Sequence, residues 1–88
     1  MSESPDPIAD LDALLGLLAL YAGARIDGAT EAGTPLADVG LDSLGVTLVS
    51  ILLSERGVEL TDDDWIGIRT AGDLWHAYDY RRTNPAPI

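Results

Sequence analysis

The run from Ser43 to Ser54 restricts the fold of this chain more than any other stretch, because its aliphatic residues recur at helical spacing. At 100° per residue, Gly45, Val46, Leu48, Val49, Leu52 and Leu53 fall on one side of a helix. Ser43, Thr47, Ser50 and Ser54 fall on the other. Asp42 stands just before the run, where a carboxylate can accept hydrogen bonds from the first free backbone N–H groups. The pattern predicts a helix that buries an aliphatic stripe and turns Ser43 towards solvent. Leu44 and Ile51 sit at the border of the polar arc and are expected half exposed.

Other segments carry the same period. Ile8, Leu11, Leu14, Leu15, Leu18 and Ala22 recur at three and four residues, with Asp6 as the expected cap and Pro7 in the first helical position. Asp10 and Asp12 then occupy the first turns, Gly23 stops the helix, and Leu17 and Leu20 lie off the stripe as exposed leucines. From Gly23 to Gly40 no period holds, so a long loop is expected, pinned to the core by Leu36, Val39 and Leu41. Gly57 ends the Ser43 helix, and Val58 and Leu60 return inward. Thr61 with Asp64 and Thr70 with Asp73 are capping boxes. The first opens a short helix to about Gly67 that buries Trp65 or Ile66. The second opens a last helix with Leu74, Trp75, Ala77 and Tyr78 inward and Arg81 and Arg82 at its negative end. No stretch alternates with period two. The fold class is all-α: a small antiparallel bundle of three main helices and one short one, spanning residues 6–82, with 1–5 and 83–88 as flexible termini.

Eighty-eight residues suffice for one small core and not for a catalytic cleft between domains. Fifteen acids against five arginines and no lysine give a net charge of −10. That balance disfavours nucleic acid and anionic membrane and favours basic patches on partner proteins. Without cysteine there is no disulfide, no cysteine nucleophile and no thiol of the chain's own. The acidic N-terminus lacks the positive region of a signal peptide, and the apolar run Leu14 to Ala22 is too short to span a bilayer. A cytoplasmic protein is expected, and composition points to a GC-rich bacterial genome.

Catalytic readings fail on residue types. A serine hydrolase needs Gly-x-Ser-x-Gly on a strand-to-helix elbow, and position 41 is leucine. The lone histidine, His76, lies in the last helix and reads as a surface group. Asp62-Asp63-Asp64 lacks the alternate spacing and distant glutamate of a calcium loop, so helix capping explains it. No intrinsic active site and no metal site are expected.

The residues leave two readings of Ser43 open: part of a helix cap, or an exposed hydroxyl awaiting modification. Gly40-Leu41-Asp42-Ser43-Leu44 resembles the attachment motif of acyl carrier proteins, and the resemblance in element order runs from Ile8 to about Tyr80. It implies 4′-phosphopantetheine on Ser43, added from coenzyme A by a phosphopantetheinyl transferase, with Asp42 and Leu44 presenting the site. The arm would hold acyl groups as thioesters for acyl-loading, condensing or tailoring enzymes, and the chain, a non-catalytic monomer, would serve them. The resemblance also accounts for the long first loop. Two departures refine it. No acid lies between Ser43 and Ser54, unlike carriers of fatty-acid synthesis, so Leu44, Thr47 and Ile51 are the expected docking residues. The double glycine of peptidyl carriers is missing, although Gly57-Val58-Glu59-Leu60 resembles their turn. A discrete carrier of polyketide or hybrid secondary-metabolite biosynthesis is the expectation. An aminoacyl or peptidyl carrier is the alternative within the class, and an unmodified helical interaction module the alternative outside it.

Overall fold

The computed structural model describes residues 8–28 and 30–85. Four α-helices appear there: α1 (Leu11–Tyr21), α2 (Ser43–Ser54), α3 (Asp62–Ile66) and α4 (Ala71–Thr83). A 3-10 turn, Leu36–Val39, interrupts the first connection. Among the described residues there is no strand, only an isolated antiparallel bridge between Pro35 and Thr70.

The helix starts follow local side-chain chemistry. Asp42, Thr61 and Thr70 cap α2, α3 and α4, and both threonine caps close into full capping boxes. The two N–H groups of Arg69 and Thr70 donate to Asp73 and hold its carboxyl below the usual carboxylate range. The beginning of α1 differs from expectation. Asp6 and Pro7 lie outside the described residues, but Ile8 and Ala9 are already non-helical, and the cap is Asp10, whose Oδ1 accepts from the Ala13 N–H at 2.8 Å. Ile8 instead runs into the core, where its N–H donates to the Tyr78 hydroxyl at 2.9 Å. That bond keeps a buried backbone donor satisfied outside any helix.

Leu14, Leu15 and Leu18 of α1, Val49 and Leu53 of α2, and Leu74 and Tyr78 of α4 form the centre of the core. Ile8, Leu36, Val39, Leu41 and Val58 join it from the connections, as the sequence requires of the last four. Each buried aliphatic side chain contributes roughly 1.5–3 kcal/mol by leaving water. The core also departs from the helical wheel. Leu17 is half-buried against the cluster, not exposed, whereas Leu20 is exposed. Leu48 and Leu11 are only half-buried. Leu52 is buried but borders a small surface depression with Tyr21, Leu48 and Ile51. In α3 no residue is fully buried: Trp65 leans half-buried on the core and Ile66 faces solvent.

The long connection is ordered by backbone pairing that no local pattern announces. Gly72 N–H donates to Ala32 O at 2.7 Å, Ala71 N–H to Thr34 O at 3.0 Å, and Leu36 N–H to Arg69 O at 2.9 Å. These bonds stitch residues 32–36 to the α3–α4 junction. They satisfy peptide groups that a loop crossing the bundle would otherwise bury unpaired. Leu36, Val39 and Leu41 then drop inward, which brings Gly40, Asp42 and Ser43 to the surface.

Candidate functional site at the start of α2

Ser43 is the first residue of α2 and is exposed. Before it, Asp42 is extended, and its Oδ1 accepts the Gly45 N–H at 2.9 Å while its carbonyl accepts the Val46 N–H at 2.9 Å. The N–H groups of Ser43 and Leu44 make no hydrogen bond to a described residue, so two donors at the positive end of the helix are left unpaired on two exposed residues. Such a terminus suits an anionic substituent. No histidine or lysine stands by to activate the hydroxyl, and His76 is exposed on α4.

The floor beneath the site is Leu41. Its Cδ1 would lie 3.0 Å from a Cβ at Gly45, so the glycine in the first turn makes room for the leucine that anchors the loop. Along the helix, Thr47 Oγ1 donates to Ser43 O at 3.1 Å. Leu44 is 66% exposed and Ile51 54%, well outside the stripe and more open than their border positions suggest. Thr47 is exposed between them. Ser50 is half-buried, and Ser54 donates to Glu59 Oε1 at 3.0 Å, tying the end of the polar arc to the next connection. The predicted site residues Asp42, Ser43, Leu44, Thr47 and Ile51 therefore share the open side of one helix.

The structure adds a pocket that helical periodicity could not reveal. About 470 Å³ of space lies between the 3-10 turn, α2 and α3, lined by Leu36, Leu41, Val46, Trp65 and Ile68 with Arg69 among its walls. Leu41 and Val46, two positions before Ser43 and three after it, supply part of the pocket wall. Trp65 and Ile68 could not have been assigned to it from sequence, because α3 is too short to show a phase. Among the described residues no group of three or more carboxylates or histidines gathers as metal ligands.

The family model for the phosphopantetheine attachment site matches residues 12–77. The chain belongs to that family, the acyl carrier proteins. The prosthetic group of such a carrier is 4′-phosphopantetheine, bound covalently. The exposed hydroxyl, the two free N–H groups and the adjoining apolar pocket of this carrier fit that group. Searches of curated proteins and of solved structures return no significant match. The first loop and the four helices of the carrier chain all fall at least partly inside the matched range. No described helix of the carrier is long and apolar enough to cross a membrane.

Proposed function

We propose that Ser43 Oγ bears the phosphopantetheine arm, and that the chain carries acyl intermediates as thioesters in polyketide or hybrid secondary-metabolite assembly. The observation that carries the first half is the exposed Ser43 hydroxyl beside the unpaired N–H groups of Ser43 and Leu44. A serine hydroxyl is a poor nucleophile without a base, and the adjacent Asp42 carboxylate is engaged in capping the Gly45 N–H, so a separate transferase must supply one. Transfer from coenzyme A forms the Oγ–phosphorus bond and breaks the phosphoanhydride bond to adenosine 3′,5′-bisphosphate, with the serine proton passing to the transferase. The arm supplies the thiol that the chain lacks. The protein supplies position and recognition, turning each encounter with substrate into a docking event.

The exposed side of α2 supports the second half. It presents apolar Leu44 and Ile51 with Thr47 between them, and no acid from Ser43 to Ser54. Partners that dock there read apolar contact more than charge. The adjoining apolar pocket suits cargo with an aliphatic or aromatic portion. The test is intact mass after incubation with a phosphopantetheinyl transferase and coenzyme A. One added arm on the native chain and none on Ser43→Ala is expected. An arm on the alanine variant, or none on the native chain, removes the assignment. Loading by acyltransferases rather than aminoacyl-adenylating enzymes then separates polyketide from peptide assembly.

A further inference from the structure

Arg25 sits in the first connection, far from Ser43 in sequence, yet its guanidinium lies against the loop that carries the serine. Its Nη2 is 3.5 Å, its Cζ 3.7 Å and its Nε 3.9 Å from where a Cβ would stand at Gly40. The Arg25 N–H donates to Val39 O at 2.8 Å, so the base of the side chain is fixed beside the same loop. Gly40 has a φ of +82°, a left-handed turn that favours glycine, and the guanidinium lies within ordinary van der Waals reach of that turn.

This guanidinium makes no hydrogen bond or ion pair with a described residue, in a chain of net charge −10. The other arginines are placed elsewhere. Arg81 pairs with Asp64 and Arg82 with Asp79, Arg56 donates to Leu52 O at the far end of α2, and Arg69 stands on the α3 side of the pocket. The charges nearest the attachment serine in sequence are the exposed acids Asp38 and Asp42. A phosphodiester added at Ser43 would bring one more negative charge into that group. Ser43 lies three positions after Gly40, at most about 11 Å of chain. The flexible arginine stem covers part of that distance, and a guanidinium matches phosphate oxygens with paired N–H donors.

We propose that Arg25 is the counter-ion of the phosphodiester joining the arm to Ser43, closing over it from the first connection once the arm is attached. The inference rests on the attachment reading above. It assigns Arg25 a positioning role: it holds the root of the arm against the Gly40 loop and limits the directions in which the thiol leaves the protein.

The experiment compares apo and holo forms of the full chain, native and Arg25→Gln, each made with a transferase and coenzyme A and verified by intact mass. Nitrogen-15 NMR of the native chain should show the Arg25 Nε–Hε resonance moving downfield and exchanging more slowly on loading. The phosphorus-31 resonance of the arm should differ between native and Arg25→Gln holo forms. Melting gives a second readout. Loading should lower Tm by about 1–4 °C more in Arg25→Gln than in the native chain, the size of an exposed charge pair, and 1 M salt should remove the difference. Arg25→Lys should restore part of the melting effect. If mass shows one arm on the native chain while the Arg25 resonance stays at its apo position, the inference fails and the attachment reading stands. If the native chain takes no arm, both fall. Should Arg25→Gln not fold, the native-chain resonance decides alone.

Discussion

Arg81 grips Asp64 with two parallel hydrogen bonds across 17 positions of sequence, Nε to Oδ2 at 2.8 Å and Nη2 to Oδ1 at 3.1 Å. The same Oδ2 accepts the Thr61 N–H at 2.9 Å, so one carboxylate caps α3 and ties it to α4. With no fully buried residue, α3 depends on this fork and on half-buried Trp65 for its place beside the pocket.

Acid should release α3. The Arg81 hydrogen bonds hold the Asp64 carboxyl below the ordinary carboxylate value, with the Thr61 N–H adding to them. A pKa lowered by folding means that stability is fully present above the unfolded value near 3.8 and is lost as pH falls through the folded one. Melting followed from pH 6 to pH 2 should therefore decline at the acid end, and Arg81→Gln should flatten the part due to Asp64. Equal slopes in the two proteins would show that the fork contributes nothing.

Leu53 sits in the central cluster, fully shielded from solvent, whereas Leu52 borders a surface depression. Leu53→Ala should cost about 2–5 kcal/mol, a large share of the 5–15 kcal/mol typical of a domain. Leu52→Ala should fall at or below the low end of that range, because neighbours and water can fill the space. Urea denaturation of both variants checks the order, and the reverse order would contradict the packing.

Gly72 approaches the first connection too closely for a side chain. A Cβ there would meet Ala32 O at 2.9 Å, backbone that is itself held by the 2.7 Å bond from the Gly72 N–H. Gly72→Val should destabilise by about 1–3 kcal/mol, as overpacking does. Hydrogen exchange should show residues 32–36 losing protection before α1. Unchanged protection there would mean that the stitching is dispensable.

Ile51 tests how partners read α2. At 54% exposure it contributes little to the core, so Ile51→Glu should leave Tm within a few degrees. If Leu44 and Ile51 anchor partners, acyl transfer from the loading enzyme should fall at least tenfold while phosphopantetheine can still be attached. Normal transfer to the folded variant would remove the apolar docking reading.

What the sequence determined here is what depends on neighbours three or four residues apart. Asp42, Thr61 and Thr70 cap their helices because the N–H groups they accept lie within one turn. The exposure of Ser43 follows from the 100° step that buries Val49 and Leu53, and Leu36, Val39 and Leu41 are the aliphatic side chains nearest the motif that could anchor the loop. Tertiary structure decided the pairings between distant groups. Ile8 meets Tyr78 across 70 positions and leaves α1 to begin at Leu11 behind its Asp10 cap, although the sequence offered Asp6 and Pro7 as a start. Asp64 reads as a capping acid and proves to be a tie between helices. Arg25 lies in a connection without a period, and only the fold lays its guanidinium on Gly40. Local caps and periods bias each segment by a kcal/mol or so through contacts that its own backbone creates. Which loop carbonyl, hydroxyl or guanidinium fills a given space is settled only when the whole core closes, because such contacts exist in no isolated segment.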